Sequence, residues 1–324
     1  MPTGFEKSLG WMSAVQEGDG VPLHILHVTT YAYRVPVALL AHRMMLTPRG
    51  SHALRLISAD LSSEPAAELE WTQDVVGNLI ATASFPHPAK RLAITNRVTV
   101  EQTAAPWPIL KIAPHAHRYP FDYSQGERTD LGALLVPEHA DPDGQIAAWA
   151  RALVLGDNTD TLSLLQDVNA ASRNGMTYVA REEPGTQSPQ ETLDLGSGSC
   201  RDLATLFIEA VRHLGFGARA VSGYLFDPPS QGGPAEPESQ HGATHAWAEV
   251  YLPCAGWVAF DPTNGRMGEA HLVPVAVGRD IAQLSPVDGR YVGAADAFLG
   301  MTVEVTVSTD RAVLNSKDGP WNPD

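Results

Sequence analysis

Cys200, His245 and Asp261 are the residues of this chain whose types and placement suit nucleophilic chemistry. Cys200 is the first or second residue of a segment in which Leu203, Leu206, Phe207, Ala210, Val211 and Leu214 recur at helical spacing, with Gly215 as the stop. A thiol there meets the unpaired N–H groups and positive dipole end of a helix, which stabilise a thiolate. Its own backbone N–H points to where an oxyanion forms during acyl transfer. The competing reading is a cysteine that merely fills apolar space. The preceding Gly196-Ser197-Gly198-Ser199 turn and the following Arg201-Asp202 are not core-like surroundings.

A nucleophile needs a base, and the base needs an orienter. His245 opens the strand-like run Thr244–Val250, and Asp261 ends the run Trp257–Asp261. Antiparallel pairing centred on Pro253, with a five-residue loop Tyr251–Ala255, sets His245 and Asp261 directly opposite each other on one face. A four-residue loop separates them to opposite faces. Proline cannot join a ladder, so its place at the centre fits the first register. A histidine at a strand start is by itself commonly a satisfied surface group; the matched aspartate and the helix-borne cysteine favour a base.

The elements that must hold these residues follow from periodicity. Residues 1–20 read as a flexible leader, and residues 21–105 as an all-β region. Leu92, Ile94, Asn96, Val98 and Val100 alternate with polar positions, and Gly77-Asn78 supplies a hairpin turn before Leu79–Phe85. A Pro-rich junction spans 106–142, and a helical then β core spans 143–300. Helical spacing covers Ile146–Val154 and Leu162–Ala171, and Ser188-Pro189-Gln190-Glu191 combines a capping box with Pro at the first helical position. Strands are expected at 218–226, 244–250 and 256–260, with a last strand at 301–308 and a flexible tail at 309–324. The Pro- and Gly-rich insertion 227–242 reads as a solvated loop, with a substrate-selecting lid as the alternative.

Composition narrows the class further. The 324 residues carry 22 Lys+Arg against 37 Asp+Glu, a net charge of −15, which argues against a nucleic-acid or anionic-membrane partner. Hydrophobic residues make up 44%, ordinary for a globular protein of about two domains. No apolar run reaches the ~18 residues of a membrane helix, and Met1–Gly20 lacks a signal-peptide core, so the expected location is cytoplasmic. Two cysteines cannot build a disulfide framework, and their thiols are expected free. His241 and His245 have metal spacing only on a helix, which the intervening Gly and following strand oppose. Asp141-Pro142-Asp143-Gly144 lacks the remaining ligands of a calcium loop and reads as a turn into the Ile146 helix. No phosphate-loop or dinucleotide fingerprint is present, so neither a metal nor a cofactor is expected.

Four ordered blocks carry a resemblance: Gly198-Ser199-Cys200-Arg201-Asp202, Ala220-Val221-Ser222-Gly223-Tyr224, His245-Ala246-Trp247-Ala248-Glu249-Val250, and Gly256-Trp257 through Asp261-Pro262-Thr263. Together they resemble the bacterial transglutaminase-like superfamily, which includes cysteine proteases. Tyr31–Val37 and His42–Arg49 resemble its N-terminal β region, and Gly278-Arg279-Asp280 with Ser285–Gly289 its later segment. The resemblance implies an α+β, papain-like core in which a nucleophile helix packs on an antiparallel sheet, preceded by an all-β N-terminal domain. It carries Cys200 over as nucleophile, His245 as general base then acid, and Asp261 as orienter. The implied activity is acyl transfer from a peptide or protein amide through a thioester, without cofactor. Hydrolysis is the favoured outcome; a protein-glutamine amine transferase and a silent peptide-binding module are the alternatives.

Secondary site residues are weighed against packing. Tyr178 stands upstream of Cys200 where such proteins often carry an aromatic, so it is a candidate oxyanion donor. Trp247 and Trp257 either wall the cleft or pack the sheet. Asp202 and Glu249 read as structural partners, Arg279-Asp280 as an ion pair near the cleft, and Cys254 has no catalytic role.

Overall fold

The computed structural model describes residues 20–156, 158–181, 185–226 and 242–315. The N-terminal half is β: β1 (Val21–Met44), β2 (Leu54–Glu64), β3 (Glu68–Gln73), β4 (Leu79–Ser84) and β5 (Ala89–Gln102). Next come β6 (Arg118–Tyr119), α1 (Gln125–Leu131), α2 (Gln145–Ala152), β7 (Thr159–Asp160), α3 (Thr161–Asn174), β8 (Thr177–Tyr178) and α4 (Pro189–Leu195). After them run β9 (Ser197–Gly198), α5 (Cys200–His213), β10 (Ala218–Leu225), β11 (Ala243–Leu252) and β12 (Gly256–Asp261). The chain finishes with β13 (Arg266–Met267), β14 (Leu272–Gly278), β15 (Val287–Val292) and β16 (Phe298–Ser308). Residues 1–19 of the expected leader 1–20, residues 227–241 of the expected insertion 227–242 and residues 316–324 of the expected tail 309–324 lie outside the described residues, while Arg311–Asn315 of that tail form a short 3-10 helix.

The first sheet has the order β2-β5-β1-β4-β3, with β15 and β16 also paired to β1. Strand β1 is 24 residues long and serves both halves of this sheet. Residues 24–33 face β16, and residues 38–44 face β15. The strand at 287–292, grouped with the later core from its sequence position, therefore belongs to the N-terminal sheet.

The second sheet has the order β13-β12-β11-β10-β14 and is antiparallel throughout. Helix α5 lies on it, with α2, α3 and α4 packed around the helix. Leu203, Leu206, Phe207, Ala210 and Val211 form the expected apolar stripe, and Phe207 stacks on Phe260 with ring centroids 5.4 Å apart.

Burial of α5 extends beyond this stripe. Its polar side is buried as well, since Asp202, Glu209 and Arg212 are all at most 3% exposed. Burial of charge is tolerated only when partners are supplied. Glu209 pairs with Arg212 at 2.8 Å and accepts the Glu138 and His139 backbone N–H groups. Arg212 donates its remaining hydrogens to the carbonyls of Leu134, Ala218 and Arg279. The helix is thus tied by polar contacts to the junction segment and to the sheet.

Asn78 joins the two sheets. Its side-chain amide donates to the Val277 carbonyl at 2.7 Å and accepts the Val277 N–H at 2.9 Å, copying a strand partner for β14. The Asp141 turn caps α2 as expected, its carboxylate accepting the Ile146 and Ala147 N–H groups.

Candidate active site

Cys200 is the first residue of α5, with Ser199 at the N-cap. The cap is set by Asp202, whose Oδ2 accepts both the Ser199 N–H and hydroxyl at 2.8 Å. Its Oδ1 accepts Gln187 N–H and Arg181 Nη2, each at 2.7 Å. The carboxylate is 1% exposed and charge-balanced by Arg181, so it holds the turn before the thiol in one geometry. Gly198 is required there: a Cβ would stand 2.8 Å from the Asp202 Cβ.

The turn between β11 and β12 corrects the expected register. The pairs run Ala248↔Phe260 to Leu252↔Gly256, centred on Cys254 and not on Pro253. Pro253 begins a three-residue turn, and Cys254 occupies its centre at φ +67°. Asp261 consequently falls across from Trp247 when the register is extended, two residues past His245. A shift of two preserves the face, because side chains alternate with a period of two.

His245 and Asp261 therefore still meet. Nε2 of His245 lies 3.0 Å from Oδ2 of Asp261, with the two side chains 5% and 2% exposed. The contact is an ion pair when the imidazole is protonated. Asp261 is anchored by its own neighbours, accepting the Thr263 and Asn264 backbone N–H groups and the Asn264 side-chain amide. Trp247 is buried, and its ring lies nearly parallel to His245 at 6.1 Å between centroids. It both packs the sheet, with Val221, Ala259 and Val277, and walls the histidine.

The Cys200 thiol lies near enough to the His245 ring and the Ala246 backbone N–H for both to favour its ionised form. With Nε2 on the carboxylate, Nδ1 is the nitrogen left for sulfur. Burial pushes the Cys200 pKa up, but the His245 hydrogen bond and charge, the Ala246 N–H and Arg201 outweigh it, and the net shift is downward. Burial likewise lowers the His245 pKa, but Asp261 and Cys200 raise it to about 9. For Asp261, burial is outweighed by His245 and Asn264, and the carboxyl lies below its ordinary value. All three shifts run toward the charged forms: thiolate, imidazolium and carboxylate.

Tyr178 stands beside this group. Its pKa is raised by burial and by the nearby Cys200, although the side chain is half exposed. Trp257 is not brought to the site. It sits at the opposite end of β12, about 13 Å along the strand from Asp261. There Arg219 lies over its ring at 4.1 Å, and Tyr251 meets it edge-on. Glu249 pairs with Arg219 at 2.6 Å, a structural role as expected. Arg279 and Asp280 do not pair with each other; Arg279 binds Glu138 and Asp280 binds His139. Cys254 is exposed and free. Among the described residues no cluster of three metal-ligating side chains occurs, and no helix is long and apolar enough to cross a membrane.

Comparison with known proteins bears on the family and the fold. The transglutaminase-like superfamily core matches residues 147–262, and the bacterial transglutaminase-like N-terminal region matches residues 23–101. An uncharacterized protein of Mycobacterium tuberculosis is 28% identical over 296 residues, covering 87% of this chain and 91% of the relative. An uncharacterized protein of Mycobacterium leprae is 25% identical over 296 residues, covering 88% and 98%. A crystal structure of a candidate cysteine protease from Cytophaga hutchinsonii superposes with a TM-score of 0.63 at 19% identity, over 95% of each chain. That last likeness is one of fold.

Proposed function

This chain belongs to the transglutaminase-like superfamily, and from that premise we propose that it is a cysteine-dependent amide hydrolase of the peptidase or amidase type. Cys200 is the nucleophile, His245 the proton carrier and Asp261 the orienter. The observation that carries this reading is the shared position of the three groups: a thiol at a helix N-terminus, beside a histidine that is itself ion-paired at 3.0 Å to a buried carboxylate.

The chemistry follows from those contacts. The Cys200 thiolate attacks the amide carbonyl carbon, and the carbonyl oxygen becomes an oxyanion facing the Cys200 backbone N–H. The Tyr178 hydroxyl is a second donor on the open side. His245 gives its Nδ1 proton to the leaving nitrogen, the C–N bond breaks, and a thioester to Cys200 remains. His245, now neutral, takes a proton from water, hydroxide adds to the thioester, and the Cys200 thiolate departs from a free acid. Asp261 keeps the imidazole oriented and its charge favourable throughout. The two free thiols suit a reducing compartment, the cytoplasm.

A primary amine can replace water in the last step, which is the amine-transferase alternative. Incubation with a peptide library, with and without added primary amine, distinguishes them by mass. Hydrolysis yields free acid even at high amine, and an amine-linked product in its place overturns it. A silent binding module yields neither.

A further inference from the structure

Strand β8 ends in an unused hydrogen-bonding edge beside the thiol. The pair β8–β9 is parallel, with Thr177 opposite Ser197 and Tyr178 opposite Gly198. Thr177 N–H donates to the Gly196 carbonyl at 2.8 Å, and Val179 N–H to the Gly198 carbonyl at 3.0 Å. In such a ladder the residue between the two donors turns its own N–H and C=O to the other side. That residue is Tyr178, and among the described residues its backbone groups meet no strand and no side-chain partner on that side.

The edge is held rigidly and in the right place. Gly198, which faces Tyr178, is two residues before Cys200 and lies tightly against Asp202. Asp202 in turn fixes Ser199 and Gln187. Cys200, the first residue of α5, follows the Gly198 that pairs with Tyr178, so β8 runs beside the start of the helix that carries the thiol. Tyr178 and Val179 are both about half exposed, which leaves the strand open to a ligand.

We infer that the Tyr178 main chain is a substrate-docking edge, accepting an extended peptide as an added strand whose acyl side then lies over Cys200. The inference rests on the enzyme reading above and names its substrate class: amides carried by a main chain able to extend. One substrate residue gives its C=O to the Tyr178 N–H and its N–H to the Tyr178 C=O. Backbone pairing of this kind supplies affinity without fixing side-chain identity.

The test compares Tyr178→Ala, which keeps the backbone N–H, with Tyr178→Pro, which removes it on an edge strand where proline is tolerated. Labelling of Cys200 is followed by mass with two probes, acetyl-trialanyl chloromethyl ketone and iodoacetamide. The ratio of the two rates falls at least tenfold in Tyr178→Pro relative to Tyr178→Ala. A ratio equal within twofold in the two variants overturns the inference. Should Tyr178→Pro fail to fold, the unsubstituted protein is treated with trialanyl probes N-methylated at single residues. Sensitivity at one residue supports the edge; equal rates at all residues, or equal losses, overturn it. Failure of the peptidyl probe to label a Cys200 that iodoacetamide labels readily overturns the docking edge alone. Sluggish iodoacetamide labelling unaffected by His245→Ala overturns the enzyme reading and the docking edge with it.

Discussion

His245 and Asp261 approach to 3.0 Å although they are not cross-strand partners. The β11–β12 ladder carries Asp261 two residues beyond His245, opposite Trp247, and the contact is made diagonally along one face. Trp247, two residues along β11 from His245, packs its ring against the imidazole. Diagonal neighbours in a sheet are ~7–8 Å apart at the backbone, within reach of a long side chain.

Asp261→Asn tests the electrostatic half of that contact. The amide keeps the shape but removes the charge that holds the His245 pKa up to about 9. The His245 pKa falls, the Cys200 pKa rises in response, and kcat/KM at neutral pH drops by up to roughly 10⁴-fold, the loss known for a serine-protease triad whose carboxylate orienter becomes an amide. Steady-state kinetics against pH measure both effects. A profile unchanged in position and height contradicts the assigned role.

The same carboxylate carries a stability prediction. The folded-state pKa of Asp261 lies below its ordinary value. A group depressed on folding contributes stability above its unfolded pKa, about 3.9, and loses it as pH falls through the lower folded value. The stability difference between the unsubstituted protein and Asp261→Asn is therefore full at neutral pH and shrinks below about pH 4. Urea unfolding from pH 7 to pH 3 reads it directly, and a difference that grows on acidification contradicts the assignment.

Glu209→Gln leaves Arg212 buried without its counter-charge. Breaking one side of a buried pair costs about 3–5 kcal/mol, and the Glu138 and His139 N–H groups lose charge-assisted acceptance as well. The denaturant midpoint should fall accordingly. A change within experimental error would mean that water reaches Arg212.

Asn78→Ala removes the side-chain amide that pairs with Val277. Leaving a buried N–H and C=O unmet costs about 1–3 kcal/mol each. Hydrogen exchange at Val277 should accelerate with the loss of stability, and unchanged protection would place the strand's hydrogen bonding elsewhere.

Much of this was legible in the sequence for identifiable reasons. The α5 helix and the alternation in β5 are local patterns, and a thiol at a helix start has local consequences. The register of β11 on β12 was displaced by two residues because it depends on Cys254 taking a left-handed conformation, which a non-glycine residue does not announce. The error was harmless because the face repeats every two residues. The burial of Glu209 and Arg212 has no local signal, because most of their partners, at 134, 138, 139 and 279, are distant in the chain. The return of β15 and β16 to β1 is equally non-local. Trp257 shares a strand with Asp261, and only the position of Arg219 shows which end it serves.

The central claim is that Cys200 is a thiolate held by His245 at neutral pH. The most direct measurement is the pH dependence of iodoacetamide alkylation, followed separately at Cys200 and Cys254 by peptide mapping, in the unsubstituted protein and in His245→Ala. Because the Cys200 pKa is lowered and that of His245 raised to about 9, thiolate is expected to persist as pH falls below neutrality. Cys200 is expected to react selectively there, and His245→Ala to move its titration upward into the range of a buried thiol. Equal, sluggish labelling of both cysteines below pH 7, unchanged by the substitution, would contradict the account.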